Sequence, residues 1–107
     1  AIIVMGSYAG FQGSTGQTAY AASKAGLMGL VRSAAREWGE HNIRVNLVLP
    51  GWHQTAMTEP VAADAHTRQT HLLGRAPRLS SVVATVYRLA CNLDTSGQVW
   101  NVDSRIL

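Results

Sequence analysis

Apolar residues occur along the chain in short blocks whose spacing changes from one block to the next. Residues 1–5 form a continuous apolar run, and residues 43–49 form a second, mostly apolar one. Segments that are hydrophobic on both faces are typical of strands buried in a parallel sheet. Residues 97–102 form a third short segment of this kind. The pattern therefore predicts three strands.

Helical spacing separates the first two strands. From about Gln17 the apolar positions recur every three or four residues, which predicts a helix with one buried face. The predicted buried stripe consists of Leu27, Leu30, Val31, Ala34 and Trp38. Ser14 or Thr15 is the candidate cap of this helix, and Gly39 marks its end. The glycine-rich residues 10–16 are predicted to form the loop before it.

A second helix is predicted over residues 81–92, after a polar stretch, residues 52–80, that has no strong period. Its predicted inner side consists of Val82, Val83, Val86, Leu89 and Ala90. The order of strand, helix, strand, long loop, helix and strand implies parallel strands joined by right-handed crossovers. The predicted fold class is therefore α/β, as one half of a doubly wound parallel sheet with three strands and crossover helices.

Composition narrows the possible partners. The 107 residues suffice for one small domain, and with 47% hydrophobic and 14% charged residues the chain is not disordered. So low a charge indicates that part of the surface is covered by something else. The net charge of +3 comes from scattered basic residues, so we expect no nucleic-acid partner. No stretch approaches the roughly 18 apolar residues of a membrane span, so we expect no membrane partner.

Cysteine and histidine usage adds two expectations. Cys91 is the only cysteine and lies in an apolar run, which favours a buried, reduced thiol in a cytoplasmic protein without a signal peptide. The four histidines have spacings that match no compact ligand pattern, so we expect no metal site; they are His41, His53, His66 and His71. Because residue 1 opens directly on a strand-like run, we also expect the chain to begin within a fold.

Three residues have the types and spacing of an acid/base site. Tyr20 and Lys24 are four positions apart on the first predicted helix and therefore share one face. An ammonium beside a phenol stabilises the phenolate, which suits the proton transfers of carbonyl reduction or alcohol oxidation. Ser7 follows the first strand, where ligands of such sheets bind. A tyrosine–lysine pair alone is more often a solvated surface pair, so its place on strand and helix carries the prediction.

The sequence around these residues resembles the short-chain dehydrogenase/reductase family. The similar segment runs over residues 6–57 and includes GSYAGFQGSTGQTAYAASKAG, RVNLVLPG and the PGxxxT pattern. It is most similar to the branch that includes 3-oxoacyl-carrier-protein reductases. The likeness continues through Gly74-Arg75 and through SGQVWNVD, residues 96–103. The resemblance therefore covers nearly the whole chain and implies a Rossmann-like domain.

The resemblance implies an NAD(P)-dependent oxidoreductase that interconverts a carbonyl and an alcohol. Tyr20 would be the general acid/base, and Ser7 would hydrogen-bond the substrate carbonyl. Lys24 would assist Tyr20 and hold the ribose hydroxyls of the nicotinamide. The protein would orient its substrate, a small carbonyl or alcohol molecule, while the cofactor carries the hydride.

Cofactor contacts are also implied for the turn after the second strand. Pro50 and Gly51 would shape the backbone beside the nicotinamide, and Thr55 would contact the carboxamide or the phosphates. His53 would line the nicotinamide pocket or its rim, although an ordinary loop histidine is an equally good interpretation.

The sequence also departs from the family pattern. The glycine-rich TGxxxGxG turn, the NNAG motif and the residues that select NAD or NADP have no counterpart here, so either cofactor is possible. We therefore expect residues 1–107 to form the C-terminal half of a dinucleotide-binding domain. Where the family often has VDGG, this chain has Val102-Asp103-Ser104-Arg105.

Two alternatives remain for the role of the chain. The first is the C-terminal part of an NAD(P)-dependent oxidoreductase, and the second is a non-catalytic remnant or oligomerisation module of such an enzyme. A sugar-nucleotide epimerase shares YxxxK, but the PGxxxT and GQVxxVD segments oppose that interpretation. In the family the catalytic helix pairs with its twin in a dimer or tetramer, and the helix here carries a small-residue ridge: Ala22, Ala25, Gly26 and Gly29. Packing within one chain explains the ridge equally well.

Overall fold

The computed structural model describes residues 1–53 and 69–107 of the chain. Its elements in chain order are β1 (Ile2–Met5), α1 (Ala9–Gln12), α2 (Thr18–Trp38), a 3-10 turn (Gly39–His41), β2 (Val45–Leu49), α3 (Leu79–Cys91) and β3 (Val99–Asn101). The predicted order of strand, helix, strand, helix and strand is confirmed. No helix within the described ranges is both long and apolar enough to cross a membrane.

The three strands form one parallel sheet in the order β1-β2-β3. Ile2 pairs with Val45 at one end of the first ladder, and Met5 pairs with Val48 at the other. The second ladder pairs Leu47 with Val99. The predicted α/β class with parallel strands is confirmed. Because all strands run the same way, the segments after β1 and after β2 leave the sheet at the same edge.

The core lies between β2 and α2. Every residue of β2 is buried, and its odd-numbered side chains project to one face, as the period of two in a strand requires. There they join two residues of α2 in one cluster: Val31, Ala34, Val45, Leu47 and Leu49. Burying a Leu or Val side chain stabilises a fold by roughly 1.5–3 kcal/mol, so this cluster fixes α2 on the sheet.

One polar residue lies inside the sheet and has its hydrogen bonds satisfied. Asn46 of β2 is 1% exposed. Its Nδ2 donates to the carbonyl oxygen of Thr95 at 2.8 Å, and its Oδ1 accepts from the backbone N–H of Gln98 at 3.1 Å. A buried amide without partners would cost about 1–3 kcal/mol, so these bonds also specify where the chain enters β3.

The prediction of a loop over residues 10–16 is partly wrong, because Ala9–Gln12 is a short helix. The helix contacts α2 very closely at Gly10, where a Cβ atom would lie only 2.7 Å from the backbone carbonyl carbon of Lys24. A glycine-rich sequence disfavours a helix by propensity. Contact with α2 outweighs this local preference.

Several predicted element ends are shifted by two or three residues. The strand expected over residues 43–49 begins at Val45, because Asn42 adopts a left-handed conformation with φ 58° just before it. The helix expected over residues 81–92 spans Leu79–Cys91. The residue that precedes α2 is Gln17, not Ser14 or Thr15, and no side chain caps this helix.

The sequence pattern overestimates the burial of residues at the edges of strands and helices. β1 was expected to be buried on both faces, but Ile2 and Met5 are each 41% exposed. β1 has only β2 as a neighbour among the described residues, so one edge of it is uncovered. Four of the predicted inward-facing helix residues and the thiol expected to be buried are also exposed: Leu30, Trp38, Val83, Ala90 and Cys91. A three-stranded sheet covers a narrower stripe of each helix than the apolar pattern spans.

The C-terminal segment is tied down behind β3 by an ion pair. The Asp103 side chain is fully buried and accepts a hydrogen bond from Arg105 Nε at 2.8 Å and another from Arg105 Nη2. Its second oxygen lies 3.2 Å from His71 Nε2. The tail thus folds back onto the segment that precedes α3.

Burial alone would raise the pKa of Asp103, but the hydrogen bonds and positive charge of Arg105, with a smaller contribution from His71, hold it below the ordinary value. A carboxyl whose pKa is lowered by folding stabilises the fold at every pH above its unfolded pKa of about 3.9. That stabilisation disappears as the pH falls through the lower, folded pKa.

We expect Asp103→Asn in the full-length protein to lower the free energy of unfolding at pH 7 by about 3 kcal/mol, because it leaves the guanidinium without its carboxylate. The difference from the unmodified protein should begin to shrink below about pH 4, where the carboxyl of the unfolded chain takes up its proton, and should disappear as the pH falls through the lower, folded pKa. Urea titrations at pH 7 and pH 3 measure both effects. Asp94→Asn, at an exposed carboxyl, is the control and should change little. A pH-independent deficit in Asp103→Asn would contradict the role of this charge.

Candidate active site

A cavity of about 500 Å³ opens where β1 and β2 end. Its walls come from the segments after the two strands, the start of α2 and the C-terminal segment. The described lining residues are Ser7, Tyr8, Ala9, Gly13, Ser14, Gln17, Tyr20, Gly51, Trp52, His53, Thr70 and Arg105. This volume lies within the range of roughly 300–1,000 Å³ that small-molecule sites occupy.

Tyr20 projects into this cavity from the first turn of α2. The residue is 46% exposed and lines the cavity, so a ligand there can contact it. Lys24 lies one turn further along the same helix, with Nζ 5.8 Å from the centre of the Tyr20 ring. The predicted pair therefore shares one face of the helix, as a spacing of four residues requires.

The Lys24 ammonium is held in place by the end of β1. Nζ donates a hydrogen bond to the carbonyl oxygen of Met5 at 3.0 Å. Lys24 itself does not line the cavity among the residues described. The bond links α2 to the strand that precedes Ser7, and it fixes a positive charge near the tyrosine ring.

Ser7 lines the cavity two residues after β1 ends. Its Oγ accepts a hydrogen bond from the backbone N–H of Ala9 at 3.2 Å, which fixes the hydroxyl oxygen at the start of α1. The hydroxyl proton remains available for donation, because this bond uses Ser7 only as an acceptor. Ser7 and Tyr20 line the same cavity, as the sequence predicts.

The turn after β2 forms the opposite wall. Gly51 has φ 80°, and a Cβ atom there would lie 2.6 Å from Pro77 Cγ and 2.9 Å from Asp103 Oδ2. Only glycine meets both the left-handed conformation and the close packing. His53 folds back so that Nε2 lies 2.9 Å from the Pro50 carbonyl oxygen. Because a carbonyl oxygen can only accept, Nε2 is the donor in this contact.

The structure thus brings together four of the seven residues proposed from the sequence: Ser7, Tyr20, Gly51 and His53. Lys24 and Pro50 are in direct contact with the others but are not part of the cavity wall. Thr55 lies outside the described residues.

Sequence reasoning missed several residues of the wall. Tyr8 lies next to Ser7 in sequence but was not proposed as a site residue, and Gln17 was proposed only as the start of a helix. Arg105 comes from the C-terminal segment, far from the other residues in sequence. The departure of Asp103-Ser104-Arg105 from the family ending was the one signal that could have found it.

The donors around the cavity fit the nicotinamide end of a dinucleotide. Hydroxyls of Ser7 and Tyr20, the Gln17 amide and the His53 ring surround a space large enough for a ring and a small substrate. The Lys24 ammonium adds a charge that can bind hydroxyl groups. Such a set of groups can polarise a carbonyl and exchange a proton with its oxygen.

Comparison with known proteins agrees with this geometry. The family model described as enoyl-(acyl carrier protein) reductase matches residues 1–104. The chain is 44% identical over 103 residues to carbonyl reductase family member 4 of Danio rerio, covering 96% of this chain and 43% of that protein. It is 38% identical over 112 residues to the 3-oxoacyl-[acyl-carrier-protein] reductase of Thermotoga maritima, covering 99% of this chain and 45% of that protein.

A solved structure shares the fold. A chain from Sinorhizobium meliloti 1021, described as a short-chain alcohol dehydrogenase, superposes with a TM-score of 0.86 at 28% identity, covering 96% of this chain and 43% of that one. The chain therefore spans less than half the length of each of these three relatives. Since the family model covers residues 1–104 and the named relatives are similar along nearly all of the chain, the chain belongs to the short-chain dehydrogenase/reductase family.

Proposed function

We propose that the protein is an NAD(P)-dependent oxidoreductase that interconverts a carbonyl and an alcohol. The observation that carries this proposal is the convergence of the Ser7 and Tyr20 side chains on one cavity, with the Lys24 ammonium 5.8 Å from the tyrosine ring. The names of the relatives, a carbonyl reductase and a 3-oxoacyl reductase, are consistent with a small carbonyl substrate.

Each of the three residues has a separate task in carbonyl reduction. Ser7 donates a hydrogen bond to the carbonyl oxygen and draws electron density from the carbonyl carbon. Tyr20 transfers its hydroxyl proton to that oxygen as the C–H bond forms, which gives the alcohol and leaves a phenolate. Lys24 stabilises the phenolate until a proton returns from solvent. Alcohol oxidation uses the same groups in the opposite order.

When bound, a nicotinamide dinucleotide supplies the hydride for reduction or takes it up in oxidation. In the proposed enzyme Lys24 holds the ribose hydroxyls, Gly51 and Pro50 border the nicotinamide, and His53 lines its rim. Thr55 is assigned a cofactor contact from the resemblance alone. The choice between NAD and NADP stays open.

We further propose that residues 1–107 are part of one Rossmann-like NAD(P)-binding domain. The glycine-rich turn that holds the pyrophosphate is then supplied from outside these residues. A cytoplasmic location stays a prediction.

The small-residue ridge of α2 is proposed as a contact with a second copy of the chain. All four ridge residues are exposed: Ala22, Ala25, Gly26 and Gly29. A Cβ atom added at Gly26 or Gly29 would have no described atom within 4 Å. No other described part of the chain packs on Gly26 or Gly29, which supports the close approach of a twin helix.

We expect Tyr20→Phe in the full-length protein to lower kcat by at least about a hundredfold, because it removes the transferred proton. The affinity for NADH or NADPH should change little. Steady-state kinetics and cofactor titration measure the two effects. Tyr87→Phe, at an exposed tyrosine of α3, is the matched control. Substantial turnover by Tyr20→Phe would refute the role of Tyr20.

Cofactor binding distinguishes an enzyme from a non-catalytic remnant. We expect saturable binding of NADH or NADPH by the full-length protein, with energy transfer from tryptophan to the bound nicotinamide. Trp52 lines the cavity and Trp100 does not, so Trp52→Phe should reduce the transfer more than Trp100→Phe. Absence of saturable binding would favour the remnant.

The oligomer proposal predicts that Gly29→Leu dissociates the full-length protein, because the larger side chain keeps two helices apart. Light scattering after size-exclusion chromatography measures the mass. Gly29→Ala is the matched control and should keep the assembly, since two alanines already belong to the ridge. An unmodified protein that is monomeric, or a Gly29→Leu variant with unchanged mass, would contradict the proposal.

A further inference from the structure

The C-terminal segment places a positive charge in the wall of the cavity. Arg105 is the one side chain of permanent charge among the described lining residues, and none of these carries a carboxylate. The other polar side chains of the wall are hydroxyls, the Gln17 amide, the Trp52 indole and the His53 imidazole. Among the described residues, the cavity thus has a bias towards anionic ligands.

The guanidinium is positioned by groups that lie away from the cavity. Nε and Nη2 donate to Asp103 Oδ2, and the backbone N–H of Arg105 donates to Asp103 Oδ1 at 3.1 Å. Asp103 has a fully buried side chain and is not part of the cavity wall, whereas the Arg105 side chain is 17% exposed. A ligand in the cavity can therefore contact the cation but not its counter-ion.

An aromatic ring fixes the plane of the guanidinium. Arg105 Cζ lies 4.0 Å from the centre of the Tyr8 ring, and the Tyr8 hydroxyl donates to the carbonyl oxygen of Ile106 at 3.3 Å. Tyr8 follows Ser7 directly in sequence, so the stack is coupled to the segment that carries the predicted carbonyl-binding serine. Stacking leaves the guanidinium edge available for hydrogen bonds.

One nitrogen of this edge is available for a ligand. Arg105 Nη1 makes no hydrogen bond to a described residue, while Nε and Nη2 are both directed at Asp103. A planar guanidinium that is already oriented loses little side-chain freedom when it binds an anion. These are the properties of a binding residue more than of a tether for the C-terminus alone.

We propose that Arg105 is a specificity-determining residue that binds an acidic group of the substrate, a carboxylate or a phosphate, in the same cavity as Tyr20. This inference rests on the proposed function, because it assumes that the carbonyl substrate lies against Ser7 and Tyr20. The substrate class is then a carbonyl compound that also carries an anionic group. Arg105 takes no part in proton transfer and acts through binding.

Matched substrate pairs test the proposal in the full-length protein. The pairs are 2-, 3- and 4-oxo acids with their methyl esters, and dihydroxyacetone phosphate with dihydroxyacetone. We expect the unmodified protein to prefer the acidic member of at least one pair, and the preferred pair identifies carboxylate or phosphate. Arg105→Gln should lower kcat/KM for that acid about ten- to a hundredfold through KM, because charged hydrogen bonds of roughly 1.5–3 kcal/mol are lost. The neutral member should change less than about threefold.

Two further variants separate binding from folding. Arg105→Gln leaves the buried Asp103 carboxylate without its partner, which can unfold the protein by itself. The double variant Asp103→Asn/Arg105→Gln removes both charges and should lose the same preference for the acid. Arg36→Gln, at an exposed arginine outside the cavity, is the control for net charge and should keep it. A preference that persists in the double variant would overturn the proposal.

A binding measurement keeps this test independent of turnover. Calorimetric titration with benzoate, benzamide and inorganic phosphate compares anions with a neutral molecule. We expect the unmodified protein to bind an anion at least about tenfold more tightly than benzamide, and the double variant to lose this difference. Equal binding of anion and benzamide overturns the proposal. If the protein binds an anion but neither turns over any carbonyl compound nor binds NADH or NADPH, the proposed oxidoreductase is refuted instead.

The cofactor is the other possible source of an anion in this cavity. If Arg105 contacts a cofactor phosphate, Arg105→Gln should weaken NADH or NADPH binding about tenfold and leave the ratio of acid to ester unchanged. That result would overturn the assignment to the substrate. Unchanged cofactor affinity together with a lost acid preference supports it.

Discussion

The parallel pairing of β1 with β2 is the constraint on which the site depends. β2 is buried along its whole length and is the central one of the three strands within residues 1–53 and 69–107. Because β1 runs beside it in the same direction, the two turns that follow these strands emerge side by side. Ser7 and Gly51 meet at the cavity for this reason, although more than forty residues separate them. An antiparallel arrangement would put them at opposite ends of the sheet.

Helix α2 brings Tyr20 and Lys24 to this edge through two different kinds of contact. Apolar packing of Val31 and Ala34 on β2 fixes the position of the helix along the sheet. At its other end, the hydrogen bond from Lys24 to the Met5 carbonyl and the close approach of Gly10 set the distance between helix and strand. The apolar packing tolerates small changes of side chain, whereas the hydrogen bond and the close approach each require particular atoms. The end of α2 that carries the chemistry is therefore the more narrowly specified end.

Sequence patterns predicted the parts of this structure that follow from local periodicity. The three strands, the two long helices, and the placement of Ser7 and Tyr20 at one mouth all derive from spacing and strand order. The short helix at Ala9–Gln12 was missed because contact with α2 outweighs its glycine content. Exposure of Leu30 and Trp38 was missed because apolar spacing cannot tell how wide a sheet a helix covers.

Such patterns cannot predict which residues reach the site from distant parts of the chain. Arg105 reaches the cavity only because the chain turns back after β3, and no spacing rule relates residue 105 to residue 7 or residue 20. The resemblance to a family indicated only that this ending was unusual. The position of the Arg105 side chain depends on residues that contact it in the folded chain, namely the Tyr8 ring and the Asp103 carboxylate.

Gly51 has a consequence for how such a site can change during evolution. The space that a side chain would need at this position is already taken by Pro77 and by the carboxylate of Asp103. The turn after β2 and the anchor of the C-terminal tail are therefore inherited as one unit. Residues 51 and 103 have little freedom to diverge separately, and a change at Arg105 has to be matched at Asp103, because otherwise the buried carboxylate loses its partner. The wall of the cavity and the anchor of the tail can thus change only together.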